Sequence, residues 1–181
     1  MKILLLFASS HGQTRLISVV IERELRARDC EVVAVDALEC RDPPGPAGFD
    51  AVIVGSRVQF GRHAPAIIAY LEQHAQVLRE MPTALFSVSM AAASGSPDAH
   101  AYIESAIERL GWQPTLTASF AGGLPYRKYN WLLRHVMKRI AKGAGHSTDI
   151  AHDHEYTDWN RVRKFADEIE TLVAKRASRV S

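Results

Sequence analysis

The stretch that most constrains this chain is its opening, where Lys2-Ile-Leu-Leu-Leu-Phe7 runs apolar without alternation straight into Ala8-Ser9-Ser10-His11-Gly12-Gln13-Thr14. An unbroken apolar run has no polar face to give to water, which suits a strand buried on both sides in a parallel sheet. Beyond it, Leu16, Val19, Val20 and Leu25 recur at roughly helical spacing among Arg15, Glu22, Arg23, Glu24 and Arg26. The pattern predicts strand, tight turn, helix. A helix N-terminus presents unpaired backbone N–H groups and the positive end of the macrodipole, so small hydroxyl residues there suit a phosphate dianion. Ser9, Ser10 and Thr14 add hydroxyl donors, and Gly12 lets the backbone come close. The same octet, Phe7 to Thr14, also suits a turn that only caps its own helix.

Four more apolar runs follow, at Glu31–Asp36, Asp50–Gly55, Pro82–Val88 and Thr115–Ala121. Between them, Pro65 to about Arg79 carries Ile67, Ile68, Leu71, Ala75 and Leu78 on one helical face, and Asp98–Leu110 is a second helix stopped by Gly111. A last helix begins at Thr157-Asp158-Trp159 and runs to about Lys175 with Val162, Phe165, Ala166, Ile169, Leu172 and Val173 inward. Pro43–Gly48 is too rich in Pro and Gly to be regular, and Ser56–His63 and Ser89–Pro97 are predicted exit loops. Strands that alternate with helices predict a doubly wound parallel α/β sheet, because parallel neighbours need right-handed crossovers. Such sheets bind ligands at the carboxyl ends of their strands, so the loops after the first, third and fourth strands should share one crevice.

Composition narrows the class. With 181 residues, 47% hydrophobic and 23% charged, the chain is most simply one ordinary globular domain. No run approaches the ~18 apolar residues of a membrane span. The opening mimics a signal peptide, but its short apolar core flows into a helix with no cleavage pattern, so it is read as the first strand. Cys30 and Cys40 lie apart with no C-x-x-C, which fits structural thiols in a reducing compartment. No metal site is expected from the scattered histidines, His146, His152 and His154 included. Nothing in the pattern fixes an oligomeric state. A phosphoacceptor receiver of this plan needs acids after the first strand and an Asp ending the third; Ala8-Ser9-Ser10 and Gly55-Ser56 stand there instead. A dinucleotide fold has an acid near the end of the second strand, where Asp36 stands, but the G-x-G-x-x-G turn is missing.

The octet from Phe7 to Thr14 resembles the phosphate loop of the flavodoxins: an aromatic residue, hydroxyl residues, then Gly, a variable amide residue and Thr. The resemblance implies a flavodoxin-like five-stranded parallel sheet of order 2-1-3-4-5 with helices on both faces, and FMN as cofactor. By it, Ser9, Ser10, His11, Gly12, Gln13 and Thr14 hold the phosphate. Ser56, Arg57, Val58, Gln59, Phe60 and Gly61 line one face of the isoalloxazine, and Ser87, Val88, Ser89, Met90 and Ala91 close the other side. Phe60 is the clear aromatic candidate for stacking, and equally an ordinary loop anchor. His11 departs from the pattern.

Over thirty residues, Gly122 to about Glu155, interrupt the plan before the last helix, far beyond a usual βα loop. On a helical wheel of Leu132–Lys142, Leu132, Leu133, Val136, Met137, Ile140 and Ala141 share one arc and the basic residues fill the other, with Trp131 at the boundary. Arg127, Lys128, Arg134, Lys138, Arg139 and Lys142 lie between Pro125 and Gly145 with no acid, so the formal charge of +2 is a local patch and the remainder carries −4. A basic amphipathic helix with aromatics at its start suits an anionic membrane surface; it equally suits a carboxylate-bearing apolar substrate, or simple packing on the sheet edge. One short helix in a long loop matches no standard nucleic-acid reader.

Nearly end to end, the chain resembles the flavodoxin-type, menaquinone-dependent protoporphyrinogen oxidases of bacterial haem synthesis. The marks are the Ser9–Thr14 loop, Val54-Gly55-Ser56 running on to Phe60-Gly61, Gly122-Gly-Leu-Pro-Tyr126-Arg-Lys-Tyr129-Asn-Trp131, and Tyr156-Thr157-Asp158-Trp159. The resemblance implies FMN-dependent oxidation of protoporphyrinogen IX to protoporphyrin IX, electrons passing to menaquinone or another quinone, in a cytoplasmic enzyme held peripherally at the inner face of the cell membrane. Arg57, Arg62, Tyr126, Arg127 and Lys128 are candidate substrate contacts, with the basic groups meeting propionates. Trp131, Leu132, Leu133, Val136, Met137 and Ile140 are candidate membrane-facing residues. No catalytic base stands out; His63 is a candidate by location alone. Two other readings share the phosphate loop: an FMN-dependent NAD(P)H:quinone reductase, which has no need of the basic insert, and a non-enzymatic flavodoxin electron carrier, which the net positive charge disfavours.

Overall fold

The computed structural model describes residues 1–124 and 154–180. Along the chain run β1 (Lys2–Ala8), α1 (Gln13–Arg26), β2 (Glu31–Asp36), β3 (Ala51–Gln59), β4 (Arg62–His63), α2 (Pro65–Leu78), β5 (Thr83–Ser89), α3 (Asp98–Leu110), β6 (Leu116–Ala121), β7 (Gly123–Leu124), β8 (His154–Glu155) and α4 (Trp159–Val180). The main sheet has the order β2-β1-β3-β5-β6, all parallel, with β4 antiparallel on β3. The five long strands therefore take the flavodoxin-like order read from the sequence.

Period-two alternation along the buried strands divides the core into two layers. Ile3, Leu5 and Phe7 of β1 join Ile17, Ile21 and Leu25 of α1 and Val162, Phe165 and Ile169 of α4. Leu4, Leu6 and Ala8 join Ile67, Tyr70 and Leu71 of α2 and Ile103 and Leu110 of α3. Each large apolar side chain so buried contributes roughly 1.5–3 kcal/mol of transfer free energy. In the α1/α4 layer, Phe86, Phe120 and Phe165 meet with ring centroids 5.6–6.1 Å apart, tilted or edge-on. Gly55 makes room for them: a Cβ built there would lie 2.2 Å from Phe86 Cζ.

Four boundaries differ from the sequence reading. The loop expected from Ser56 is strand to Gln59, and it returns as a hairpin pairing Val58 with His63 and Gln59 with Arg62. Its connection is the two residues Phe60 and Gly61 at φ 51 and 75, both left-handed, as a type I′ turn requires. Polar Ser56, Arg57 and Gln59 hide a strand that is specified by ladder bonds rather than by apolar pattern. Gln13 and Thr14 belong to the first turn of α1, not to the loop before it. The last helix starts at Trp159 and extends to Val180. The interruption is narrower than read, because Gly123 pairs with Glu155 and Leu124 with His154 in an antiparallel ribbon at its base.

Tyr126, Arg127, Lys128, Trp131, Leu132, Leu133, Val136, Met137 and Ile140, and with them the basic helix expected over Leu132–Lys142, lie outside the described residues. Among the described residues no helix is long and apolar enough to cross a membrane, and no group of three or more metal-ligating side chains comes together.

Candidate functional site

The register brings the exit loops together. Ala8 of β1 stands beside Ser56 of β3, Ser56 beside Ser87 of β5, and Ser87 beside Ser119 of β6. The turn after β1, the β3–β4 hairpin and the turn after β5 therefore leave the same end of the sheet from adjacent strands, the crevice position of an open α/β fold.

The first turn lies at the N-terminus of α1. Gly12, at φ 98, precedes α1 in a conformation that a side chain would strain, and it offers α1 no capping side chain. Ser9 Oγ accepts the Arg15 N–H at 3.1 Å, and Ser10 Oγ lies 3.1 Å from His11 Nδ1. The first turn of α1 holds no acid. The acids at the end of β2 are also neutralised: Arg15 donates to Asp36 at 2.9 Å and to Glu39, while Asp36 Oδ1 accepts the Leu38 N–H at 2.9 Å. Asp36, with its side chain 3% exposed, is thus spent on Arg15 rather than offered to a ribose. A donor-rich turn at a helix N-terminus, backed by an arginine-screened carboxylate, fits a phosphate monoester.

The hairpin displays one aromatic side chain. Phe60 is 82% exposed and is held in left-handed backbone, a sterically costly state for an aromatic residue. Arg57 Nη1 donates to Gln59 Oε1 at 2.6 Å, and its buried Nε meets no acceptor among the described residues. Arg62 stands exposed in β4. His63 is buried at the root of the hairpin; its Nε2 lies 3.1 Å from the Tyr102 carbonyl, which only accepts, so Nε2 carries the proton. Burial pushes the His63 pKa below the usual imidazole value, and the Tyr102 hydrogen bond offsets this only in part. Its Nδ1, the lone-pair nitrogen of that tautomer, is buried without a hydrogen-bond partner among the described residues.

Two predicted flavin contacts have no free hydroxyl. Ser56 is buried, donates to the Arg57 carbonyl at 3.0 Å and accepts the Ala64 N–H at 3.0 Å. Ser87 is equally buried and bonds Ser119 Oγ at 3.1 Å, which in turn donates to the Ala99 carbonyl at 2.9 Å. Both serve the framework and bring the site backbone and packing only. Ser89 accepts the Ala92 N–H at 3.2 Å and so closes the turn that carries Met90 and Ala91, both half-buried. Val88 lies in the α1/α4 core layer.

Sequence reasoning missed Tyr102, whose carbonyl anchors His63, and gave Thr157 no individual role. Thr157 is buried, accepts from Gln13 Nε2 at 2.8 Å and donates to the Ala121 carbonyl at 2.8 Å. The Gln13–Thr157 contact spans 144 residues of sequence and has no local signature.

The sequence matches the Flavodoxin domain family over residues 4–151. A protoporphyrinogen IX dehydrogenase (quinone) of Escherichia coli is 32% identical over 178 residues, 97% of this chain and 98% of the relative. The protein of that name from Leishmania major is 32% identical over 176 residues, 94% of this chain and 75% of the relative. In structure, the chain resembles a variant Fusobacterium nucleatum flavodoxin bound to flavin mononucleotide, with TM-score 0.53 and 15% identity over 97% of this chain and 96% of that one. The chain belongs to the flavodoxin-domain family of flavoproteins, in the branch that holds the protoporphyrinogen IX dehydrogenases.

Proposed function

We propose that this FMN-type oxidoreductase removes electrons from protoporphyrinogen IX and passes them to a membrane quinone, in haem synthesis. The observation that carries the reading is the similarity to the dehydrogenase relatives, which runs through 97% of the chain, the 122–155 interruption included. The turn around Gly12 supports the cofactor, since its donors and the absence of acid in the first turn of α1 suit the FMN phosphate. FMN supplies the two-electron chemistry when bound. Ser9, Ser10, His11, Gly12, Gln13 and Thr14 bind its phosphate; the hairpin from Ser56 to Gly61 and the turn from Ser87 to Ala91 flank its ring, with Phe60 as the apolar wall.

Arg57, Arg62, Arg127 and Lys128 pair with the substrate propionates, and Tyr126 is a further substrate contact. The basic residues between Pro125 and Gly145, with the apolar Trp131, Leu132, Leu133, Val136, Met137 and Ile140, hold the enzyme on anionic lipid, where the quinone resides. His63, tied through Nε2 to Tyr102, keeps the hairpin against α3. The chain acts as one domain, with the interruption as its substrate and membrane element. A steady-state assay in the absence of air tests the reading: porphyrin fluorescence should grow from protoporphyrinogen IX when menaquinone is the acceptor. Porphyrin formation no faster than in protein-free controls would overturn it.

A further inference from the structure

We propose that Thr157 is the positioning residue that sets the phosphate turn, acting through Gln13 across the sheet end. The inference rests on the reading that this turn holds the FMN phosphate. Its direction is fixed by the hydrogen bonds. The Ala121 carbonyl can only accept, so the single hydroxyl hydrogen of Thr157 goes there, at 2.8 Å. Its oxygen must then receive a hydrogen, and Gln13 Nε2 supplies one at 2.8 Å. The Gln13 amide is thereby oriented, with its NH₂ toward Thr157 and its carbonyl oxygen turned away.

Position makes this orientation matter. Gln13 is the first residue of α1 and follows Gly12, which has no side chain to anchor the turn. Ser9 and Ser10 place their hydroxyls on Arg15 and His11, both within the turn or the first turn of α1. Gln13 instead reaches to the segment between β8 and α4. That segment is itself fixed to the neighbouring exit loop: the Tyr156 N–H donates to the Gly122 carbonyl at 3.4 Å, and the Gly122 N–H to the Ser89 carbonyl at 3.1 Å. Thr157 so locks the phosphate turn to the β5 and β6 ends, and its buried hydroxyl is poorly replaced by water.

The experiment titrates flavin-free protein with FMN and with riboflavin, which has the ring and no phosphate, following quenching of flavin fluorescence. Thr157→Val should weaken FMN about tenfold and leave riboflavin affinity unchanged, and Thr157→Ser should restore the wild-type value. Gln13→Met reads the same bond from its other end, and the double variant should bind FMN no worse than the weaker single one. Unchanged FMN affinity in Thr157→Val, an equal loss for both flavins, or additive losses in the double variant would overturn the proposal. Wild-type protein that binds riboflavin as tightly as FMN would instead overturn the phosphate reading beneath it. If Thr157→Val does not fold, Thr157→Ala read against Thr157→Ser decides by the same ratio of FMN to riboflavin affinity.

Discussion

Phe60 and Gly61 share a left-handed turn, at φ 51 and 75, that folds β3 back onto Arg62 and His63 and leaves the Phe60 ring 82% exposed. Asn at the first position of such a turn relieves the steric cost that an aromatic residue bears there. Phe60→Asn should therefore stabilise the flavin-free protein by about 1 kcal/mol while weakening flavin binding roughly five- to tenfold through loss of ring contact. Urea unfolding and flavin titration on the same preparation check it. Lower stability in the variant would contradict the strain, and unchanged affinity would remove Phe60 from the flavin site.

Gly55 is required by its neighbour, not by a turn. Since a Cβ at that position would lie 2.2 Å from Phe86 Cζ, Gly55→Ala must displace a ring packed against Phe120 and Phe165. The expected loss is about 1–3 kcal/mol by urea unfolding. Made in a Phe86→Leu background, the same substitution should cost under about 1 kcal/mol, because the obstructing ring is gone.

His63 predicts a pH dependence. Its folded-state pKa lies below the unfolded value of 6.5 because burial disfavours the charged ring. The unfolded chain therefore binds the proton first on acidification, so the stability owed to neutral His63 is complete above about pH 6.5 and is lost as pH falls toward the depressed folded value. His63→Gln keeps a donor for the Tyr102 carbonyl without the titration. Between pH 7 and pH 5 wild-type unfolding free energy should fall more steeply than that of the variant, by at most about 1.4 kcal/mol per pH unit. Parallel curves would contradict this.

What was legible in the sequence follows from the range of the forces involved. β1 could be read because six consecutive apolar residues have one good solution, and the helices because Ile67, Leu71 and Leu78, or Val162, Phe165 and Ile169, repeat at helical spacing. The hairpin escaped because Phe60-Gly61 is not the Asn-Gly that announces a type I′ turn, and because polar Arg57 and Gln59 break the apolar run of β3. Gln13 was legible as a phosphate-loop residue, yet its partner Thr157 was not, since only the fold brings the two together. Ser56 and Ser87 read as flavin-lining positions by resemblance, but that their hydroxyls are spent on the framework is a tertiary property with no local signature.

The basic stretch from Pro125 to Gly145 should act as a membrane contact. Flotation with vesicles containing anionic lipid should carry the full chain upward at low salt and release it at high salt, since each Lys or Arg near the surface contributes ~1 kcal/mol and is screened by added ions. Deleting Pro125–Gly145 should abolish flotation and leave the FMN absorbance in place. Unimpaired flotation of the deletion variant would place the lipid contact elsewhere.

The flavin reports directly on the identity of the electron donor. FMN-loaded protein, mixed without air with protoporphyrinogen IX, should lose its yellow absorbance within the time of catalysis and regain it on adding menaquinone. Flavin that stays oxidised with the porphyrinogen but bleaches with NADH would contradict the account and make the protein a nicotinamide-driven quinone reductase.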